Sequence, residues 1–263
     1  MTKYYALILG ASSGFGKAIS LALAKDGVNI IGVHLDRAST MDDVKQQIED
    51  IKGMGVEADF YNLNAADDVK RTETLDKIKE KFDGSDSTIR VMVHSLAFGS
   101  LKKFIDDDPN NEVNRKQLEM TLDVMANSFV YWTQGMMKRG LMTKGGKIYS
   151  MTSSGGTRQI AYYGVVSAAK ACLESYTRQL AMELGGKGIA VNAICAGVTS
   201  TPALNKIPGA DAIIANALQR NPSKRLTQPE DIAQFIVDNY KSDSAWLTGN
   251  TIHLAGGESI VEL

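Results

Sequence analysis

Short β-branched or apolar runs at residues 6–9, 29–33, 58–63, 90–94, 147–151, 190–194 and 251–254 alternate with segments of helical periodicity at 16–26, 41–54, 69–82, 118–139, 164–184 and 229–239. This alternation leaves little choice of architecture, because parallel strands need crossover connections and the crossover helices cover both faces of the sheet. The expected fold class is therefore α/β, a doubly wound, seven-stranded parallel sheet. At 263 residues, 44% of them hydrophobic, the chain can bury one large core, and no repeat or low-complexity linker interrupts it. A single domain over residues 1–263 is expected.

Lys and Arg are spread along the chain and the net charge is -1, so there is no basic block to bind nucleic acid, and a small-molecule partner is expected. The first apolar run is too short for a signal sequence, and no stretch approaches the ~18 apolar residues of a membrane span. A cytoplasmic protein with no membrane partner is the expectation. Cys172 and Cys195 lie in apolar segments without metal-ligand spacing and read as small buried core residues, so no metal site is assigned. The Asp- and Asn-rich stretch 106–114 reads as a solvated loop before a helix. Residues 198–227 carry Pro202, Pro208 and Pro222 around a short apolar helix pattern. Ligands in open α/β sheets sit beyond the carboxyl ends of the strands, so this insertion after the sixth strand is placed to cover a substrate.

Gly10-Ala11-Ser12-Ser13-Gly14-Phe15-Gly16 follows the first strand directly and opens a helix. Small residues there let the backbone approach a pyrophosphate, whose charge is met by amide N–H groups and the positive end of the helix dipole. The preceding strand and following helix supply the context that a glycine-rich loop needs before it reads as a dinucleotide site.

The glycine spacing, G-x3-G-x-G, differs from that of long-chain dehydrogenases and resembles the short-chain dehydrogenases/reductases, with Leu9 where Thr is common. The resemblance implies a Rossmann domain whose cofactor is held by Gly10, Ser12, Ser13, Gly14, Phe15 and Gly16. At the family spacing, the acidic residue that marks NAD preference falls on His34, which is uninformative. Two residues on, Asp36 suits a ribose 2′-hydroxyl and Arg37 a 2′-phosphate. NADPH is favoured, because Arg37 matches a basic position used by some enoyl reductases and a surface Asp can turn away; NADH is the alternative. Asn62-Leu63 stands where the family usually has Asp-Val against the adenine. The run His94-Ser95-Leu96-Ala97-Phe98-Gly99 is similar to the His-Ser-Ile-Gly-Phe-Ala of enoyl-acyl-carrier-protein reductases, which adds Ser95, Leu96 and Ala97 to the expected cofactor contacts. His94 itself reads as a satisfied strand-end histidine.

Ordinary short-chain dehydrogenases carry Tyr-x3-Lys on a helix, with Ser 13 residues before the Tyr. Here the Tyr slot before Lys170 holds Val166, and Tyr163 stands seven residues before the lysine. On a helix that offset is almost two turns, so both share a face about 10.5 Å apart along the axis instead of about 6 Å. In a 2-enoyl thioester the hydride goes to the β-carbon while negative charge develops on the thioester oxygen, so a displaced phenol suits enolate stabilisation. The resemblance assigns Lys170 to the nicotinamide ribose. Ser153, 17 residues before Lys170, occupies the catalytic Ser position of the ordinary reductases, where many enoyl reductases have Tyr; some retain Ser together with Tyr-x6-Lys. Its role stays open between binding the substrate oxygen and ending a strand. Tyr162 lies about 100° round the helix and reads as packing or rim.

The likeness extends through Asp123 and Ser128-Phe129, residues 192–197 and residues 249–260. In relatives the stretch 196–201 contacts the nicotinamide carboxamide and diphosphate, which implicates Gly197, Thr199 and Thr201. The Met-rich segment 120–142 reads as core or subunit interface, and the resemblance brings the expectation of a homotetramer. The preferred reading is reduction of an enoyl thioester on acyl carrier protein or coenzyme A. Its rivals are a carbonyl or alcohol oxidoreductase using Ser153 and Tyr163, and a dinucleotide-sensing protein without catalysis.

Overall fold

The computed structural model describes residues 2–201 and 203–261, so Pro202 lies outside the described residues. All seven expected strands form: β1 (Lys3–Leu9), β2 (Asn29–His34), β3 (Ala58–Asn62), β4 (Ser87–His94), β5 (Lys147–Thr152), β6 (Ala190–Ala196) and β7 (Thr251–Leu254). They form one parallel sheet in the order β3-β2-β1-β4-β5-β6-β7. The order reverses between β1 and β4, which opens a crevice beyond their carboxyl ends. The helices are α1 (Gly14–Lys25), α2 (Met41–Gly53), α3 (Asp68–Phe82), α4 (Arg115–Leu122), α5 (Ser128–Lys138), α6 (Gly164–Gly185), α7 (Ala210–Arg220) and α8 (Pro229–Tyr240). The short helix expected within 198–227 is α7.

The period-2 alternation of a strand divides the apolar run of β1 between two layers. Tyr5, Leu7 and Leu9 enter the layer that holds Leu75 and Ile78 of α3, Phe129 and Trp132 of α5, and Leu173 of α6. Ala6 and Ile8 enter the opposite layer with Ile19 and Leu23 of α1, Ile51 of α2, and Ile232 and Ile236 of α8. Each fully buried Leu or Ile contributes roughly 1.5–3 kcal/mol, and a one-residue slip would exchange the two sets.

The segment 118–139, expected as one helix, is divided. A capping box between Asn114 and Gln117 starts α4 at Arg115, and a π-helical turn over Asp123–Asn127 separates it from α5. His94 hydrogen-bonds the Ser128 hydroxyl at 2.8 Å, and that hydroxyl donates to the Val124 carbonyl at 2.8 Å, drawing the turn against the strand. Hydrophobic periodicity does not register a single inserted residue. Met125, Met136 and Met142 are core residues, whereas Met120 is exposed. Cys195 is buried as expected, but Cys172 is only partly so. The 106–114 loop is braced by its own acids: Asp106 pairs with Lys103 at 2.7 Å, and the Asp108 carboxylate accepts from the Asn110 amide at 2.9 Å. Among the described residues no helix is long and apolar enough to cross a membrane.

Candidate active site

The glycine-rich loop joins β1 to α1 at the sheet's switch point. Gly10 has φ +89°, and a Cβ there would collide with the Ser95 carbonyl; a Cβ at Gly16 would collide with the Gly10 carbonyl. Glycine at both positions is thus a steric requirement of the loop's close approach to its neighbours. The Gly10 and Ala11 amides both donate to the Val33 carbonyl at 2.8 and 3.0 Å, and the Ser95 amide donates to Leu9 at 2.8 Å. Ser13 begins α1 without a side-chain cap, leaving the first-turn amides as a natural seat for an anion. Phe15 packs at the edge of the second core layer. This glycine-walled cradle fits a pyrophosphate.

At the other end of the crevice, the Asp36 carboxylate is held in place. It accepts from His34 Nδ1 at 2.9 Å and from the Thr40 hydroxyl at 2.8 Å, and it faces Ser12. Against the upward pull of burial, the Ser12, Thr40 and His34 contacts hold its pKa below the ordinary carboxylate value. Asp36 is therefore tethered, not the freely turning surface residue expected from sequence. Arg37 is exposed beside it. Asn62 clamps the same loop, accepting from the Asp36 amide at 3.1 Å and donating to its carbonyl at 3.0 Å. The Leu63 amide donates to His34 at 2.8 Å, and its side chain is buried in the core. Leu96 packs partly against the same core, and Ala97 is exposed beyond β4.

Lys170 lies within α6 and donates to the Met151 carbonyl at 2.7 Å. Burial pulls its pKa down to about 8, with Cys195 and Glu174 pulling it back. Tyr163 is the N-cap of α6, not a residue inside it: its φ and ψ are -98° and 3°, and its carbonyl accepts from the Ser167 amide at 2.7 Å. Tyr162 is likewise not on the helix. It has φ +64° and stands exposed in the preceding turn, because the chain must reverse there to enter α6, which periodicity does not reveal. Burial raises the Tyr163 phenol above its ordinary pKa, and the nearby Ser153 opposes the rise. The Tyr163 ring and the Ser153 hydroxyl meet over Gly155, where a Cβ would lie 2.7 Å from the ring and 3.2 Å from the hydroxyl. The Ser153 oxygen is buried without a well-aligned hydrogen-bond partner, so it can accept or donate to a ligand. Val166 is buried against the core and leaves no hydroxyl at the Tyr-x3-Lys slot. His94 is fully buried. Burial, reinforced by Lys170, lowers its pKa to about 3, so it is neutral and no proton donor near pH 7.

The loop after β6 reaches the glycine cradle. Thr201 Cγ2 lies 3.7 Å from where a Cβ on Gly14 would stand, and the Thr201 hydroxyl accepts from the Leu204 amide at 3.2 Å. The Thr199 side chain is buried, its hydroxyl donating to the Gly197 carbonyl at 3.1 Å. The Gly197 amide donates to Leu254 at 3.2 Å.

Sequence reasoning missed two supports of this site. Gln47 of α2 is buried and donates to the Ala11 carbonyl at 2.9 Å, bracing the glycine loop. Its signal was available, since Val44, Gln47 and Ile51 share one inward stripe of α2. Glu174, one turn beyond Lys170, accepts from the Thr152 hydroxyl at 2.8 Å and lies near enough to Lys170 to support its charge.

The family profile described as Enoyl-(Acyl carrier protein) reductase matches residues 10–259. The chain is 28% identical, over 97% of its length and 96% of the relative's, to the (2S)-[(R)-hydroxy(phenyl)methyl]succinyl-CoA dehydrogenase subunit BbsD of Thauera aromatica. It is 26% identical to the 3-oxoacyl-[acyl-carrier-protein] reductase FabG of Thermotoga maritima, covering 95% of this chain and 96% of that one. The crystal structure of the Bacillus cereus enoyl-acyl carrier protein reductase with NADP+ and indole naphthyridinone superposes with a TM-score of 0.87 at 25% identity, covering 100% of this chain and 98% of the other.

Proposed function

The chain belongs to the enoyl-(acyl carrier protein) reductase family of short-chain dehydrogenases/reductases and is an oxidoreductase of that kind, and from this premise we propose that it reduces the 2,3 double bond of a trans-2-enoyl thioester carried on acyl carrier protein or coenzyme A, with NADPH as reductant. The observation that carries the reading is the place of the phenol: Tyr163 stands at the N-cap of α6, one turn back from the slot that Val166 fills.

When bound, the reduced dinucleotide would supply the hydride to the β-carbon. Tyr163 hydrogen-bonds the thioester oxygen, where charge accumulates three bonds from the carbon attacked, and its raised pKa keeps the phenol protonated as the donor there. Lys170, still protonated at pH 7, gives the pocket a positive field and is the group that would hold the ribose hydroxyls. The amides of Gly14, Phe15 and Gly16 with Ser12 and Ser13 would hold the pyrophosphate; Asn62, Leu63, Ser95, Leu96 and Ala97 would border the adenosine side, and Gly197, Thr199 and Thr201 the nicotinamide side. Arg37 stands exposed beside the tethered Asp36 and is the group that would meet a 2′-phosphate, which favours NADPH. Residues 198–227, with α7, cover the acyl chain.

The buried, unpartnered Ser153 hydroxyl beside Tyr163 favours a second reading, a carbonyl reductase in which Ser153 and Tyr163 together hold a ketone oxygen. The two separate in one experiment: turnover with NADPH deuterated at the nicotinamide C4, offered a crotonyl and an acetoacetyl thioester. Deuterium at the β-carbon of a butyryl product supports enoyl reduction. Label found only in a 3-hydroxybutyryl product, with crotonyl untouched, overturns it in favour of the ketone.

A further inference from the structure

The turn that follows β7 gathers the loops around the candidate site. Ala255 accepts from Asn221 Nδ2 at 3.2 Å, and Val261 accepts from Arg220 Nε at 3.0 Å, which ties the turn to the end of α7 and the loop beyond it. Ser259 accepts from Arg158 Nη2 at 3.5 Å, a long contact from the loop that leads to Tyr163. The shortest route into the site is made by Glu258. Its Oε2 accepts from the Val198 amide at 3.1 Å and lies 3.1 Å from where a Cβ on Gly197 would stand. On the other side of the same residue, the Thr227 amide donates to the Val198 carbonyl at 3.1 Å. Both backbone polar groups of Val198 are thereby fixed, one by a carboxylate and one by the distal end of the insertion.

The turn is shaped to deliver that carboxylate. Gly257 has φ +84° and caps the short 3-10 helix that begins with Glu258, and the Glu258 amide donates back to Ala255 at 3.0 Å. A side chain at 257 would be strained, so the reversal that aims Glu258 at Val198 depends on glycine. A carboxylate accepting from a backbone amide in a half-buried site is among the stronger single hydrogen bonds available to a loop.

We propose that Glu258 is the positioning residue of the nicotinamide end: it fixes Val198, and through it the segment 197–201, in the shape that receives the nicotinamide. The proposal rests on the reading of 197–201 as the nicotinamide loop. It concerns binding geometry and is independent of whether the reaction is enoyl or ketone reduction.

The test is a fluorescence titration of the whole protein and its Glu258→Ala and Glu258→Gln variants. Each is titrated with NADPH, with NADH, and with ADP-ribose, which keeps the pyrophosphate and lacks the nicotinamide. Removing a hydrogen bond to a charged acceptor should weaken dinucleotide binding about tenfold in Glu258→Ala, leave ADP-ribose within about twofold, and be largely restored in Glu258→Gln, whose amide oxygen can still accept. Equal weakening of both probes, no weakening, or a Gln variant as poor as the Ala variant overturns the proposal. An Ala variant that does not fold by circular dichroism assigns Glu258 to the fold and also overturns it. If the unaltered protein binds ADP-ribose and nicotinamide dinucleotides equally well, the reading of 197–201 beneath the proposal fails instead.

Discussion

Lys170 offers a sharp test of the electrostatics, because its ammonium is buried and its pKa falls from an ordinary 10.5 to about 8. A shift of that size corresponds to a cost of about 3 kcal/mol for holding the charged form inside the protein. Replacing Lys170 with Met removes the charge and retains most of the volume. It also leaves the Met151 carbonyl without the donor now at 2.7 Å, which returns about 1 kcal/mol of that gain. The Lys170→Met variant should therefore be more stable than the parent by about 2 kcal/mol at pH 7, or about 4–6 °C in Tm for a chain of this size. The sign with pH follows from proton counts. Between about 8 and 10.5 the unfolded parent binds more protons at this site than the folded one, so raising the pH through that window stabilises the parent relative to the variant. The advantage of the variant is full below about 8, and above 10.5 it gives way to a deficit of about 1 kcal/mol from the lost hydrogen bond. Urea denaturation of both proteins at pH 7 and pH 10.5 measures it. A variant less stable at pH 7, or a gap that does not narrow at pH 10.5, would refute the reasoning.

Further outcomes follow from the same geometry. Gly10→Ala should lower stability by about 2 kcal/mol or more, because φ +89° is unfavourable to an L side chain and the new methyl meets the Ser95 carbonyl; a urea midpoint unchanged from the parent would contradict the close approach. Arg37→Ala should raise KM for NADPH about tenfold and leave KM for NADH within about twofold, whereas equal effects on both would remove Arg37 from the 2′-phosphate site. Dinucleotide affinity should fall as pH rises through about 8, where the folded protein's Lys170 loses its proton; affinity flat from pH 7 to 9.5 would show that its charge is not used. Gln47→Ala should weaken binding of ADP-ribose as well as NADPH, since Gln47 holds the Ala11 carbonyl of the shared loop, and a loss confined to NADPH would contradict that.

The layer architecture was legible in the sequence because the apolar runs of β1, β2 and β4 are nearly continuous, as strands covered on both faces require. The glycine loop was legible for a steric reason that the structure makes explicit at Gly10 and Gly16. Three features were hidden. The π-turn at Asp123–Asn127 inserts a residue into an otherwise helical segment and abuts the long-range His94–Ser128 bond, neither of which a local period registers. The N-cap position of Tyr163 depends on the left-handed Tyr162, an unusual conformation for an aromatic residue. The tethering of Asp36 depends on Thr40 and on a buried His34 that carried no local signal. Supporting residues such as Gln47, which holds a backbone carbonyl, and Glu174, which holds the Thr152 hydroxyl, were visible only as polar side chains on helices.

The central claim is that Tyr163, displaced from the usual slot, serves an enoyl thioester, and the most direct measurement is the loss of absorbance at 340 nm when NADPH meets a crotonyl thioester, for the parent and for Tyr163→Phe. The parent should oxidise NADPH, and the variant should show a fall of about 10² or more in kcat with KM for NADPH little changed. Oxidation undiminished in Tyr163→Phe, or none by a parent that turns over acetoacetyl thioester, would contradict it.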